Sequence, residues 1–130
     1  QLKTVEDLMV TGKNIPFVNE NVHMGKALKI LSEKKLGILI VRNKKRKTTG
    51  IITDGQIRRI SQKNKDLQSL QVKQVMTKNP ISIDKSTLAA KALSIMNDKK
   101  ITCLCVTNQN IKNKTIGILH IHNILENSIQ

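Results

Sequence analysis

The chain has 130 residues, 38% of them hydrophobic, enough for one domain with a modest core or for two small halves that share one. No apolar run approaches the ~20 residues of a membrane span and no signal-peptide pattern opens the chain, so neither a membrane-embedded nor a secreted class is expected. The formal net charge of +14 invites a nucleic-acid reading, but there is no Trp, no Tyr and a single Phe (Phe17), so the stacking residues of single-strand readers are missing, and nucleic acid is not the expected partner. Lys, Asn and Ile are all abundant, a mixture that AT-rich coding DNA produces without selection for charge. The sequence opens on Gln1 rather than Met, which suggests a piece of a longer protein.

In chain order, VEDLM (5–9) reads as a short helix. IPFV follows as a short edge strand, with Pro16 where no ladder donor is needed. Asn21 is a plausible helix N-cap, and Met24, Ala27, Leu28 and Leu31 then recur at helical spacing. Lys34 and Lys35 close that helix, where cations complement its dipole. GILIV reads as a strand, RNKKRK (42–47) as an exposed hairpin tip, and GII as the returning strand. A basic wing for nucleic acid or phospholipid is the alternative reading of RNKKRK. A terminal helix is expected over 56–62, followed by a polar stretch to 71.

The same order then recurs. VKQVM (72–76) matches VEDLM, AKALSIMNDKKITCLCV (90–106) matches GKALKILSEKKLGILIV (25–41) without a gap, and GILHIHNI (117–124) matches GIITDGQI (50–57). Pro80 in NPISI, an N-cap at Ser86, the stripe Ala89, Ala92, Leu93 and Met96, and Lys99–Lys100 occupy the corresponding places, and the last helix is expected over 123–129. Cys103 and Cys105 fall on one face of a strand, too close in sequence for an unstrained disulfide, and read as buried, reduced core thiols. The chain is thus expected to hold two copies of one unit, residues 1–62 and 72–130, joined by a linker at 63–71. The fold class is α/β (α+β), with a small sheet and flanking helices in each copy. Two such copies packed by pseudo-twofold symmetry would leave two related clefts between them.

Two stretches carry chemistry. TDGQIRR places Thr53 and Asp54 where a strand runs into a helix, whose free N–H groups favour an anion, with Arg58 and Arg59 about one turn on. HIHN places His120 and His122 at HxH spacing, read as one strand face, followed by Asn123. Metals can use that spacing, but no third ligand is evident and His23 sits at a helix start in the other copy, so a cleft-lining role is preferred and no metal is expected.

GIITDGQIRRI, VEDLMVTGKNIP, VMTKNPISI and GILHIHNIL together resemble the tandem cystathionine-β-synthase (CBS) domains of the bacterial arabinose 5-phosphate isomerase family, over essentially the whole chain. The resemblance implies the C-terminal CBS pair of an enzyme whose N-terminal sugar isomerase domain interconverts D-arabinose 5-phosphate and D-ribulose 5-phosphate. That step leads toward Kdo, a sugar of lipopolysaccharide and capsule. The chain itself offers no general base or catalytic constellation and is not expected to isomerise anything.

By the same resemblance, Thr53 would contact phosphate, and the residues three further along each motif, Gln56 and Asn123, stand where the family's ribose-binding Asp is usual. His120 replaces the second phosphate-contacting Thr. The implied ligand residues are Thr53, Asp54, Gln56, Arg58, Arg59, His120, His122 and Asn123. Amides lack the charge of a carboxylate, which weakens the adenine nucleotide expectation, and CMP-Kdo, a feedback nucleotide sugar, becomes the other regulatory ligand. No cofactor is expected in the chain itself. The implied setting is cytoplasmic, with the isomerase domain as partner and a homodimer formed through the pair, within a parent that could be tetrameric. A structural dimerisation module with empty clefts stays open as the alternative.

Overall fold

A computed structural model describes residues 2–63 and 66–128, to which every structural statement below refers. In chain order the elements are α1 (Val5–Leu8), β1 (Phe17–Asn19), α2 (Met24–Lys34), β2 (Ile38–Arg42), β3 (Thr48–Thr53), α3 (Asp54–Ser61), α4 (Val72–Val75), β4 (Thr77–Lys78), β5 (Ser82–Asp84), α5 (Ala89–Lys99), β6 (Cys103–Asn108), β7 (Ile111–His120) and α6 (Ile121–Ser128). They divide into a central unit, Pro16–Pro80, and a terminal unit made of Gln1–Ile15 with Ile81–Gln130.

In the central unit the sheet runs β1-β2-β3-β4. β1 lies parallel to β2 at one edge, with Phe17 opposite Ile40 and Asn19 opposite Arg42. β2 and β3 form the antiparallel hairpin around residues 43–47, and β4 adds to β3 through Gly50 opposite Lys78. The stripe on α2 buries Met24, Ala27 and Leu31 against Leu39, Val41 and Ile52, and α4 closes the cluster with Val72 and Val75. Each of the Met, Leu, Ile and Val side chains contributes about 1.5–3 kcal/mol when it leaves water, so the 3.6-residue period of the stripe is what fixes α2 on the sheet. Leu67 joins the same core from a single 3₁₀ turn at Leu67–Ser69, inside the stretch that reads as polar.

The terminal unit repeats the plan with the sheet order β5-β6-β7. Its α5 buries Ala89, Ala92 and Met96 against Leu104, Val106 and Leu119, and α1 supplies Val5. The Val5 N–H donates to the Thr87 carbonyl (2.8 Å), the Ala89 N–H to the Lys3 carbonyl (2.9 Å), and Val10 exchanges hydrogen bonds with Ile118. The short VxxxM helices therefore pack onto the sheet of the other sequence copy: α1 beside β7, and α4 beside β3.

Several local expectations change. Asn21 and Ser86 do not cap the long helices, which begin at Met24 and Ala89. Their N–H groups instead close Asx turns onto Asn19 Oδ1 and Asp84 Oδ2, both at 2.9 Å. The alternative is physical: Asx turns and N-caps draw on the same short polar side chains. Lys35 and Lys100 are the left-handed C-caps of α2 and α5, with φ of 58° and 57°. The helix expected over 56–62 begins two residues earlier, at Asp54, and its counterpart begins at Ile121; residue 129 lies outside the described residues. Cys105 is buried, and that burial pushes its thiol pKa up to about 12, whereas Cys103 is only partly buried.

Candidate functional site

Thr53 is the last residue of β3, extended at φ −119° and ψ 158°, and the N-cap of α3. Its Oγ accepts the Gln56 N–H at 3.3 Å, which leaves the hydroxyl proton free to donate elsewhere. The Asp54 N–H donates to the Gly37 carbonyl at 3.1 Å, so the strand before the hairpin holds the first helical residue in place. Gly37 has φ +73°, and a Cβ there would fall 3.2 Å from Asp54 Oδ2; both conditions favour glycine. Of the first three N–H groups of α3, only that of Gly55 meets no acceptor among the described residues.

The remaining residues of the motif divide into two roles. Gln56 is buried, 9% exposed, and its Nε2 donates to the Val75 carbonyl at the end of α4, while its Oε1 is buried without a hydrogen-bond partner among the described residues. Its side chain thus fastens α3 to α4 inside the central unit. Asp54, Arg58 and Arg59 are exposed. The Arg59 guanidinium folds back over the first turn, so that a Cβ on Gly55 would meet its Nη1 at 3.5 Å. A hydroxyl, an uncapped N–H and a guanidinium therefore converge on one helix start, a set that matches an anionic oxygen.

The other junction, in the terminal unit, has the same backbone and a different outcome. The Ile121 N–H donates to the Thr102 carbonyl at 2.8 Å, the counterpart of Asp54 and Gly37. Here His120 Nδ1 accepts the His122 N–H at 3.1 Å, and Asn123 Oδ1 accepts the His120 N–H at 2.9 Å. The position that corresponds to Gly55 is thus capped by the protein itself. His120 and His122 do not share a strand face: the strand ends at His120, because its ring caps the helix, and His122 is already helical. The two rings meet edge-on with centroids 4.7 Å apart. Burial and the neighbouring His122 hold the His120 pKa below its ordinary value. The hydrogen bond from His122 requires an unprotonated Nδ1, which agrees with that direction. No group of three or more His, Cys, Asp or Glu among the described residues is placed to hold a metal ion.

The structure therefore brings Thr53, Asp54 and Gln56 to the start of α3, with Arg58 and Arg59 in its last turn and Arg59 reaching back to Gly55, and His120, His122 and Asn123 to the start of α6. Sequence reading did not single out Gly37, Gly55 or Val75, which act through backbone groups. The only sequence signal for them was a glycine ahead of a strand and another inside a helix start.

A strand–hairpin–strand–helix unit that occurs twice, each with a polar strand–helix junction, defines a tandem repeat, and the sequence agrees. Residues 5–63 and 72–129 both match the CBS domain family, and the chain belongs to that family as a pair. Within it, the chain is 34% identical over 124 residues to the arabinose 5-phosphate isomerase KdsD of Salmonella typhimurium, covering 95% of this chain and 37% of that protein. The chain thus spans little more than a third of the curated relative's length. Among solved structures, the CBS domain NE2398 superposes over the whole of both chains with a TM-score of 0.85 at 21% identity, a likeness of fold. CBSX2 in complex with AMP superposes with a TM-score of 0.82 at 25% identity, covering 98% of this chain and 96% of that one.

Proposed function

We propose that the chain is the C-terminal regulatory CBS pair of an arabinose 5-phosphate isomerase in Kdo and lipopolysaccharide biosynthesis, and that it takes an anionic nucleotide or nucleotide sugar at Thr53. The parent activity is supported by the 34% identity to KdsD across 95% of the chain. The ligand rests on one observation above all: the Gly55 N–H stands uncapped beside the Thr53 hydroxyl, with Arg59 over the same turn. Phosphate or carboxylate oxygens of CMP-Kdo or an adenine nucleotide would accept from these groups, while Arg58 and Asp54 border the site. A structure of the CBSX2 pair with AMP supports a nucleotide as the general class. Gln56 is held by Val75, so the ribose hydroxyls would lack the usual charged acceptor at that position, and adenine nucleotides are expected to bind weakly. His120, His122 and Asn123 bond to one another and would serve the second repeat as a cap rather than as a ligand clamp. The pair would act in the cytoplasm on its own N-terminal isomerase domain, as a homodimer within a larger parent.

A second reading, an assembly module without ligand, draws on the same bonds of Gln56 and His120. An isomerase assay on the intact protein containing this chain separates the two. The regulatory reading expects conversion of D-arabinose 5-phosphate whose rate responds to CMP-Kdo or AMP. Conversion that ignores both, from a dimer that dissociates when the pair is removed, supports assembly alone. No conversion at all refutes the parent activity.

A further inference from the structure

The β2–β3 hairpin carries a second feature, at the opposite end of the central sheet from Thr53. A pocket of about 250 Å³ opens there, lined by Phe17, Val18, Asn19, Arg42, Asn43, Lys44 and Arg46. Three of those seven side chains are cationic and none is a carboxylate. Arg42 lies over the Phe17 ring at 3.9 Å from its centroid, which fixes the guanidinium and covers that ring face. Arg46 lines the same pocket as Arg42, and burial together with that neighbouring charge lowers the Arg42 pKa.

The tip is held rigid around these charges. Asn43 Oδ1 accepts the N–H groups of Lys45 and Lys47 at 2.9 and 3.0 Å, and the Arg46 N–H donates to the Asn43 carbonyl at 2.9 Å. Asn19 Oδ1 likewise accepts the Asn21 N–H. Because both amide oxygens face backbone donors, the NH₂ groups of Asn19 and Asn43 are the ends left to donate. Clustered cations beside neutral amide donors on a hydrogen-bonded loop match the oxygens of an anion.

We infer that this hairpin pocket is an anion site distinct from the Thr53 junction, taking the phosphate or pyrophosphate group of a small phosphorylated molecule. Its volume equals about eight waters, room for one such group with a small organic portion. A stacked base is disfavoured, since the Phe17 face is already covered by Arg42. Nucleic acid along the basic tip is the competing occupant.

The test is a titration of the ¹⁵N-labelled chain with inorganic pyrophosphate at low ionic strength, read by amide chemical shifts. Shifts are expected at 17–19 and 42–47, in the wild type and equally in Thr53→Val, which disables the other site. Arg42→Gln with Arg46→Asn should weaken binding about tenfold or more. Lys44→Gln is a second variant at an exposed position should the first not fold. Lys45→Gln removes the same charge from outside the pocket and should change affinity by no more than about twofold. Equal losses from Lys45→Gln and Lys44→Gln would reduce the pocket to diffuse surface charge. Absence of shifts at 42–47, or shifts confined to Gly37 and Thr53–Gly55, would overturn the inference. So would a DNA duplex that displaces pyrophosphate from the tip with a steep salt dependence.

Discussion

Gly50→Ala probes the contact on which each repeat closes. A Cβ at Gly50 would sit 2.7 Å from Met76 Sδ, 2.7 Å from the Thr77 carbonyl oxygen and 2.9 Å from Met76 Cγ. Ordinary contact begins near ~3.5 Å, so the methyl is about 0.8 Å too close on two sides. Met76 is flexible and could swing aside. The Thr77 carbonyl cannot, because β4 is paired to β3 through Gly50–Lys78 and Ile51–Thr77. Overpacking of this kind costs about 1–3 kcal/mol, which for a unit of this size is a fall in melting temperature of about 4 °C or more. Urea unfolding followed by circular dichroism measures it, and Gly50→Ala with Met76→Ala should not recover the wild-type value, since the carbonyl obstacle stays. Gly117→Ala should behave alike in the terminal unit, where the Cβ would lie 2.6 Å from Met9 Sδ and 3.0 Å from the Val10 carbonyl. A change smaller than ~0.5 kcal/mol at Gly50, the size of a neutral surface substitution, would refute the claim that the VxxxM helix seats directly on this glycine.

Gln56→Glu replaces a buried donor to the Val75 carbonyl with a charge facing an oxygen; it should destabilise the central unit by at least ~2 kcal/mol, and an unchanged urea midpoint would contradict the α3–α4 fastening. Burial and the neighbouring His122 hold the folded-state pKa of His120 below the ordinary histidine value of about 6.5, so the neutral capping form stabilises the terminal unit above that value, and this stabilisation is lost as pH falls through the lowered folded pKa. Melting followed from about pH 8 to 5 should show the decline, and His120→Asn, which caps without titrating, should lessen it; identical profiles would remove the cap from the account. Cys103 should alkylate before Cys105 in the folded chain, because the Cys105 thiol is buried and pushed up to about 12; equal rates by mass spectrometry would contradict the burial.

Much of this architecture was written in local pattern. The stripe from Met24 to Leu31 and the β-rich runs on either side of RNKKRK place α2, β2 and β3 because burial selects their periods. β4 was not legible: Thr77 and Lys78 are exposed, and their pairing is defined by Gly50 on another strand. The seating of α1 on β7 was equally hidden, because Val10 meets Ile118 across more than a hundred residues and no local propensity encodes it. At the site, Thr53 was legible as a polar residue on a strand end, and the early start of α3 follows once Thr53 is its cap. The inward turn of Gln56 was not, since a glutamine has the same sequence signature whether it faces a ligand or the Val75 carbonyl. The capping of α6 by His120 was not legible either, because it depends on which ring nitrogen meets the His122 N–H.

The central claim is that the α3 junction accepts an anionic ligand while the α6 junction is closed by its own side chains. Titrating the ¹⁵N-labelled chain with CMP-Kdo, and separately with AMP, to millimolar concentration tests it directly. Amide shifts are expected at Gly37 and Thr53–Gly55, lost in Thr53→Val, with His120–Asn123 unmoved. Shifts centred on His120–Asn123, or none at either junction, would contradict it.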